Sequence, residues 1–273
     1  LALVEAAIAH GMHPVIVDIE AEAIAEAEGA LAAFAAKSNV TILGAQCDVS
    51  SEESVQAMAE RIDETFPDKP ISLLACNAGV GAGGGVLTAL QSDWDFVLGV
   101  NLMGPVYCIR EFVPRMLEQG APGSVMATAS QDGLCASQGV YGVSKHACVA
   151  LMEGLHGEVG GRLTTHVLCP NVVATNIVTS ERNRPDRYGG PRQAHPGAIN
   201  IQDKFKEHGI PPSQCAEQVF VAMRDGTFYV MAESEADPGY VHLEVETRMN
   251  SILQHERPFR PQSQLILKVF SPG

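Results

Sequence analysis

Short apolar runs alternate with longer segments of helical periodicity along most of the chain. The runs at residues 13–18, 40–45, 71–75, 124–128 and 165–168 are typical of buried strands. Apolar positions recur at helical spacing at 21–36, 52–66, 102–117 and 141–159, which predicts helices between those strands. Strands and helices that alternate in this way favour the α/β fold class, as a doubly wound parallel sheet with helices on both faces.

Small and polar residues stand where the predicted strands end. Asp18, Asp48, Asn77, Ser130 and Pro170 all fall at or just after an apolar run. Ligands of open α/β sheets bind outside the carboxyl ends of the strands. The pattern alone therefore predicts a binding cleft at this edge of the sheet.

The region 177–212 interrupts this rhythm. It is rich in proline, glycine and asparagine, and its arginines are Arg182, Arg184, Arg187 and Arg192. A long polar segment inside a domain is usually functional or mobile, and a solvated loop or a subunit contact are the alternatives. Beyond it the pattern predicts a helix at 214–224, an edge strand at 227–231, a helix at 239–255 and an irregular tail after residue 257.

Composition narrows the possible classes of function. The 273 residues are 46% hydrophobic, which is enough for one sizeable α/β domain. The net charge of −14 argues against a nucleic-acid partner, whose phosphates need a basic surface. No stretch approaches the roughly 20 apolar residues of a membrane span. The 7 cysteines form no C-x-x-C pair and no Cys/His cluster, which favours reduced thiols, a cytoplasmic setting and no metal site.

Tyr141 and Lys145 are the residues with the clearest chemistry. They stand at i and i+4 of a predicted helix, so both side chains lie on one face. A phenol ionises near pH ~10 in water, and a neighbouring ammonium favours the phenolate. Such a pair can take a proton from an alcohol or give one to a carbonyl.

Other segments accompany this pair in a characteristic order. Residues 77–79 read Asn-Ala-Gly after a strand, Asn101 opens a helical stretch, and Ser130 ends the strand before the pair. As a set, these segments resemble the short-chain dehydrogenase/reductase family from residue 1 to about 177. The resemblance implies a catalytic tetrad of Asn101, Ser130, Tyr141 and Lys145. From the residues alone, a helix N-cap is the alternative role of Asn101.

The resemblance also implies which residues bind a nicotinamide dinucleotide. They are Asn77, Ala78 and Gly79 beside the cofactor, Asp48 and Val49 at the adenine, Val173 and Thr175 at the carboxamide, and Tyr141 and Lys145 at the nicotinamide ribose. Asp18 ends a strand at the position where an acid binds the adenosine ribose, and helix capping is its alternative role. Because a carboxylate repels a 2′-phosphate and no Arg or Lys stands at 19–22, we expect NAD in preference to NADP.

Three features depart from the family pattern. The spacing from Ser130 to Tyr141 is slightly short, with Ser137 as a competing serine, and Asn171 replaces the usual glycine after Pro170. The family's glycine-rich phosphate loop is absent, and residues 1–11 have the pattern of the helix that follows it. We therefore expect a first strand and its glycine loop to lie just before Leu1.

Together the pattern and the resemblance predict a single NAD(P)-binding Rossmann-like domain over 1–273, and the resemblance implies that about 177–212 is a substrate lid. By resemblance we expect an NAD-dependent oxidoreductase that interconverts a secondary alcohol and a ketone, assembled as a homo-tetramer or homodimer, without a membrane or nucleic-acid partner. The alternatives are a catalytically inactive dinucleotide-binding regulator or scaffold, and an epimerase or dehydratase. A ring or aryl alcohol is the expected substrate, with steroid, terpene and lignin-type alcohols all open. The lid arginines permit an anionic group, whereas Val80, Leu134, Ile177 and Val178 favour an apolar pocket.

Overall fold

The predicted alternation of strands and helices forms a parallel α/β arrangement. The computed structural model describes residues 1–81, 83–137, 139–193, 196–234, 237–262 and 269. The strands are β1 (Val15–Asp18), β2 (Leu43–Gln46), β3 (Leu73–Cys76), β4 (Ser124–Thr128), β5 (Thr164–Pro170) and β6 (Tyr229–Ala232). The helices are α1 (Ala2–Ala9), α2 (Ala21–Ser38), α3 (Glu52–Thr65), α4 (Gln91–Leu98), α5 (Gly104–Glu118), α6 (Gly139–Val159), α7 (Pro196–His208), α8 (Pro212–Asp225) and α9 (Tyr240–Leu253).

The strands pair in two parallel groups. β1 pairs with β2, and β3, β4, β5 and β6 follow one another in that order, with β6 at the edge as predicted. Residues of β1 and β3 line the same cleft, and within the described residues these two strands are not hydrogen-bonded to each other. A strand and glycine loop before Leu1 stays a prediction.

The longer strands carry apolar side chains on both faces. Val125 and Ala127 of β4 belong to the main core cluster, where Met152 of α6 is also fully buried. Met126, between them, points to the opposite face and packs in the cluster that contains Val219 of α8. A parallel sheet covered by helices on both sides needs this pattern. The apolar run at β4 therefore buries both of its faces.

A continuous helix runs from Gln91 to Glu118. It begins earlier than predicted and contains α4, a π-helical turn at Gly99–Met103 and α5. By length and composition alone this helix could cross a membrane. Its buried residues Cys108, Phe112 and Met116 lie in the main core cluster, which accounts for its apolar character.

The region 177–212 contains more regular structure than its composition suggests. Two 3₁₀ segments, Ile177–Asn183 and Asp186–Tyr188, are followed by α7. The helix was missed because its apolar signal is short: Ile201 and Phe205, at i and i+4, pack against Val172. The predicted lid and the tail after residue 257 each include residues that lie outside the described part.

All 7 cysteines are buried and free of disulfides, as the reduced-thiol prediction requires.

Candidate active site

One cleft of about 1510 Å³ follows the carboxyl ends of β1 to β5. Of the twelve predicted site residues it brings together all but one. The residues that line it are Asp18, Asp48, Val49, Asn77, Ala78, Gly79, Ser130, Tyr141, Lys145, Val173 and Thr175. Asn101 is buried behind this wall. The strand-end pattern therefore located the cleft.

Tyr141 and Lys145 lie on one face of α6, as their spacing predicts. The Lys145 Nζ lies 5.7 Å from the centroid of the Tyr141 ring. This ammonium donates a hydrogen bond to the carbonyl of Thr128 at 2.9 Å, at the end of β4. Only 2% of Lys145 is exposed, and burial lowers its pKa.

The Tyr141 phenol is harder to ionise than the sequence suggested. Burial raises its pKa well above the ordinary value, and the Asp132 carboxylate raises it further. A hydrogen bond from the Ser130 hydroxyl acts in the opposite direction. The lowering of the Tyr141 pKa expected from Lys145 is therefore not observed: the pKa is raised, and the ammonium donates to the Thr128 carbonyl.

Ser130 follows β4 and begins a short 3₁₀ turn, Gln131–Gly133. Its Oγ accepts a hydrogen bond from the Asp132 amide at 3.1 Å. Ser137, the competing serine, lies outside the cleft, with its Oγ 3.5 Å from His146 Nδ1. Of the two serines, Ser130 is the one beside Tyr141.

Asn101 lies inside the π turn, so the N-cap alternative is wrong. Its Oδ1 accepts from the Val80 amide at 2.8 Å, and its Nδ2 donates to the Val80 carbonyl and the Ser144 Oγ, both at 3.0 Å. A Cβ on Gly79 would lie 3.3 Å from Lys145 Nζ and 3.4 Å from Asn101 Oδ1. Asn101 therefore fixes the chain after β3, and glycine at 79 leaves the ammonium room.

The lid is tied to the far end of the cleft. Arg187 donates to Asp48 Oδ2 and to Ser50 Oγ, both at 2.7 Å. Arg182 donates to Glu20 Oε1 at 2.9 Å, although 162 residues separate the two in sequence. These ties join residues that are distant in the sequence, so the lack of a cation at positions 19–22 does not reveal them.

The two other lid arginines bind the start of α4. Arg184 donates to Asp93 Oδ1 at 2.8 Å and is fully buried, and Arg192 donates to the same oxygen at 2.7 Å. Each of the four lid arginines thus has a carboxylate partner within the protein. The lid arginines therefore serve as structural ties, and no anionic substrate is needed to account for them.

Comparisons with known proteins agree with this arrangement. The family model described as short chain dehydrogenase matches residues 1–186. A C alpha-dehydrogenase from Sphingobium sp. is 29% identical over 233 residues, covering 84% of this chain and 75% of the relative. A meso-2,3-butanediol dehydrogenase from Serratia marcescens is 30% identical over 203 residues, covering 70% and 72%.

Comparison with solved structures also finds short-chain dehydrogenases. A short chain dehydrogenase/reductase from Burkholderia phymatum in complex with NAD has a TM-score of 0.83 and 31% identity, covering 96% of this chain and 92% of that one. A short-chain dehydrogenase structure from Novosphingobium aromaticivorans has a TM-score of 0.75 and 26% identity, covering 96% and 84%. The chain therefore belongs to the short-chain dehydrogenase/reductase family, whose members are oxidoreductases that bind a nicotinamide dinucleotide.

Proposed function

We propose that this protein is an NAD-dependent oxidoreductase that interconverts a secondary alcohol and a ketone. The observation that carries the proposal is the convergence of Ser130, Tyr141 and Lys145 on one wall of the cleft. A hydroxyl, a phenol and an ammonium together provide the groups needed to orient an alcohol and move its proton.

Each residue has a distinct role in the proposed reaction. Ser130 hydrogen-bonds the substrate oxygen and orients it toward Tyr141. Tyr141 takes the hydroxyl proton during oxidation and returns it during reduction. Lys145 would hold the nicotinamide ribose through its remaining N–H groups, while Asn101 holds the backbone beside it in place for a proton path to water. The bound dinucleotide supplies the hydride chemistry, so the reaction needs no metal.

The residues of the cleft fit a nicotinamide dinucleotide. Asp18 accepts from the Glu20 amide at 3.0 Å through Oδ1, and no described residue donates to Oδ2, which leaves an acceptor for a ribose hydroxyl. The absence of a side chain at Gly79 opens space against the Lys145 ammonium. The lining positions that would hold the cofactor are Asp18, Asp48, Val49, Asn77, Ala78, Gly79, Tyr141, Lys145, Val173 and Thr175.

The charges at the adenosine end favour NAD over NADP. Asp18 places a carboxylate there, which repels a 2′-phosphate. Arg182 is the nearby cation from the lid, but its charge is already paired with Glu20. The NAD complex of the Burkholderia relative supports the same preference.

An uncharged secondary alcohol on a ring or an aryl side chain is the proposed substrate. Val80, Ile177 and Val178 line the cleft, while Leu134, the fourth residue expected there, does not. The lid arginines are paired with carboxylates, which leaves the substrate end without a free lid cation among the described residues. Relatives named for meso-2,3-butanediol and 3beta-hydroxysteroid dehydrogenation support the secondary-alcohol class.

Calorimetry with NAD and NADP, followed by an alcohol panel, tests this proposal. We expect tighter binding of NAD, and loss of that preference in Asp18→Ser but not in the control Glu22→Gln on the exposed start of α2. Cyclohexanol, 1-phenylethanol and a 3β-hydroxysteroid then serve as probes for NADH formation. NAD binding without turnover of any probe would favour the inactive regulator, and tighter NADP binding would overturn the cofactor assignment.

The proposal extends to the organisation of the protein. It comprises a single domain over 1–273 with the lid at 177–212, a cytoplasmic setting supported by the free buried thiols, and a homo-tetramer or homodimer. Light scattering during gel filtration tests the oligomer, and a monomeric mass would contradict it.

A further inference from the structure

The segment after α9 returns to the active site. This C-terminal segment, residues 254–262, places Arg260 Nη1 2.6 Å from Asp132 Oδ1, in the turn that follows Ser130. Arg248, on α9, donates to the Leu134 carbonyl of the same turn at 2.9 Å. Helix α9 and the C-terminal segment therefore both contact the turn that follows Ser130, the proposed catalytic serine.

A buried carboxylate holds Arg260 in position. Its Nε donates to Glu244 Oε1 at 2.6 Å, and its Nη2 approaches Oε2 at 3.4 Å. The Glu244 side chain is fully buried, and the Tyr240 hydroxyl contacts the same carboxylate. Because an unpaired buried anion is strongly unfavourable, Glu244 requires this arginine. Arg260 is thus fixed on one side by Glu244 and on the other by Asp132.

Asp132 connects this arrangement to Tyr141. Its amide donates to Ser130 Oγ, and its carboxylate is close enough to disfavour ionisation of the phenol. Asp132, Arg260 and Tyr240 line the same cleft as Tyr141. The Asp132 carboxylate therefore shares the cleft with the Tyr141 phenol, and it is paired with Arg260 of the C-terminal segment.

We propose that Arg260 is a positioning residue for Tyr141: held by buried Glu244, it pins and neutralises the Asp132 carboxylate on the wall of the cleft that carries the phenol. This inference rests on the proposed function, because it presumes that Tyr141 transfers the proton. Without Arg260, the Asp132 carboxylate would present an uncompensated charge to the cleft, and Glu244 would be left buried without this partner. Ionising the phenol beside Asp132 would then be harder.

Other charged or titratable groups lie on the elements around Tyr141. Those in the described residues are Lys145, His146 and Cys148 on α6, Cys169 on β5, and Asp93 and Asp95 on α4. Asp93 is paired with Arg184 and Arg192, and the Lys145 ammonium is bonded to Thr128. Substitution at 132 or 260 changes none of these groups, so their effect on the pKa of Tyr141 is the same in every variant.

Fluorine NMR can measure the effect without any substrate. Tetrafluorotyrosine is incorporated at position 141, since its phenol ionises at lower pH than tyrosine, and its resonance is followed during a pH titration. We expect Arg260→Gln to raise the phenol pKa by about one unit or more, and Asp132→Asn to lower it. Arg260→Lys keeps the charge and should restore most of the wild-type value.

Matched controls separate this effect from damage to the fold. Arg257→Gln changes an exposed arginine of the same segment and should leave the titration unchanged. If Arg260→Gln proves unstable, the double variant Arg260→Gln/Glu244→Gln removes the buried anion and keeps the test. Equal phenol pKa values in wild type, Arg260→Gln and Asp132→Asn would overturn the inference. An absence of alcohol turnover by the wild-type enzyme would instead count against the proposed function.

Discussion

Replacing Arg184 with methionine should destabilise the lid and the start of α4 together. The Arg184 side chain is 0% exposed. It donates to the Tyr188 carbonyl at 2.8 Å, to Glu181 at 3.1 Å, to the Ser92 carbonyl at 2.6 Å and to Asp93 at 2.8 Å. Methionine is long enough to fill much of the space but can donate none of these bonds.

The expected loss of stability depends on which hydrogen bonds and ion pairs the partners of Arg184 retain. Breaking a buried ion pair by removing one member costs about 3–5 kcal/mol, because the remaining charge is left without compensation. Asp93 would keep Arg192 at 2.7 Å and the Leu90 amide at 2.9 Å, so its charge stays partly compensated. The low end of the range, about 3 kcal/mol, is therefore the expected decrease in the free energy of unfolding.

Urea unfolding followed by circular dichroism measures this loss, and fluorescence of the single tryptophan gives a local probe. Trp94 lies next to Asp93 on α4 and packs against the cluster around Phe96. Arg182→Met is the matched control, since its pair with Glu20 is 44% exposed on the arginine side and should contribute about 0–1 kcal/mol. A loss below about 1 kcal/mol for Arg184→Met, or one equal to the control, would refute the reasoning.

Three further predictions concern the active site and the core. Tyr141→Phe should lower kcat by about 10²–10⁴; wild-type alcohol oxidation should rise with pH, because burial raises the phenol pKa, and a flat pH profile would contradict this. Gly133→Ala should cost about 1–3 kcal/mol in urea unfolding, because its Cβ would lie 2.6 Å from the Lys145 carbonyl oxygen; unchanged stability would count against it. Burial lowers the pKa of His166, so the unfolded chain binds a proton first and stability should fall as pH drops below about 6.5; His166→Gln should flatten this slope, and an identical slope would argue otherwise.

The fold could be predicted from the local periodicity of apolar residues. The strands and helices on both sides of the sheet follow from apolar spacing, and the polar residues at strand ends led to the cleft. Tyr141 and Lys145 needed only the helical repeat to be placed side by side. These features depend on residues close in sequence, which a single sequence displays directly.

Features that depend on distant partners could not be predicted in this way. Arg184 belongs to a residue type that is rarely buried, and only its contact with Asp93 explains its position. The Arg260–Asp132 pair joins the C-terminal segment, residues 254–262, to the middle of the chain. Asn101 was read as the start of a helix because the π turn hides the continuity of α4 and α5. In each case the missing information was a tertiary contact.

The π turn at Gly99–Met103 changes the directions in which the two halves of the long helix point their side chains. A π turn holds one more residue than an α turn, so the two halves are offset by about 100° relative to a regular helix. The first half carries Asp93 toward the lid, and the second half turns Phe112 into the core. Deleting a single residue at the turn would leave α5 packed in the core and would rotate Asp93 away from Arg184 and Arg192. The number of residues in the π turn therefore determines how the lid is aligned with the sheet.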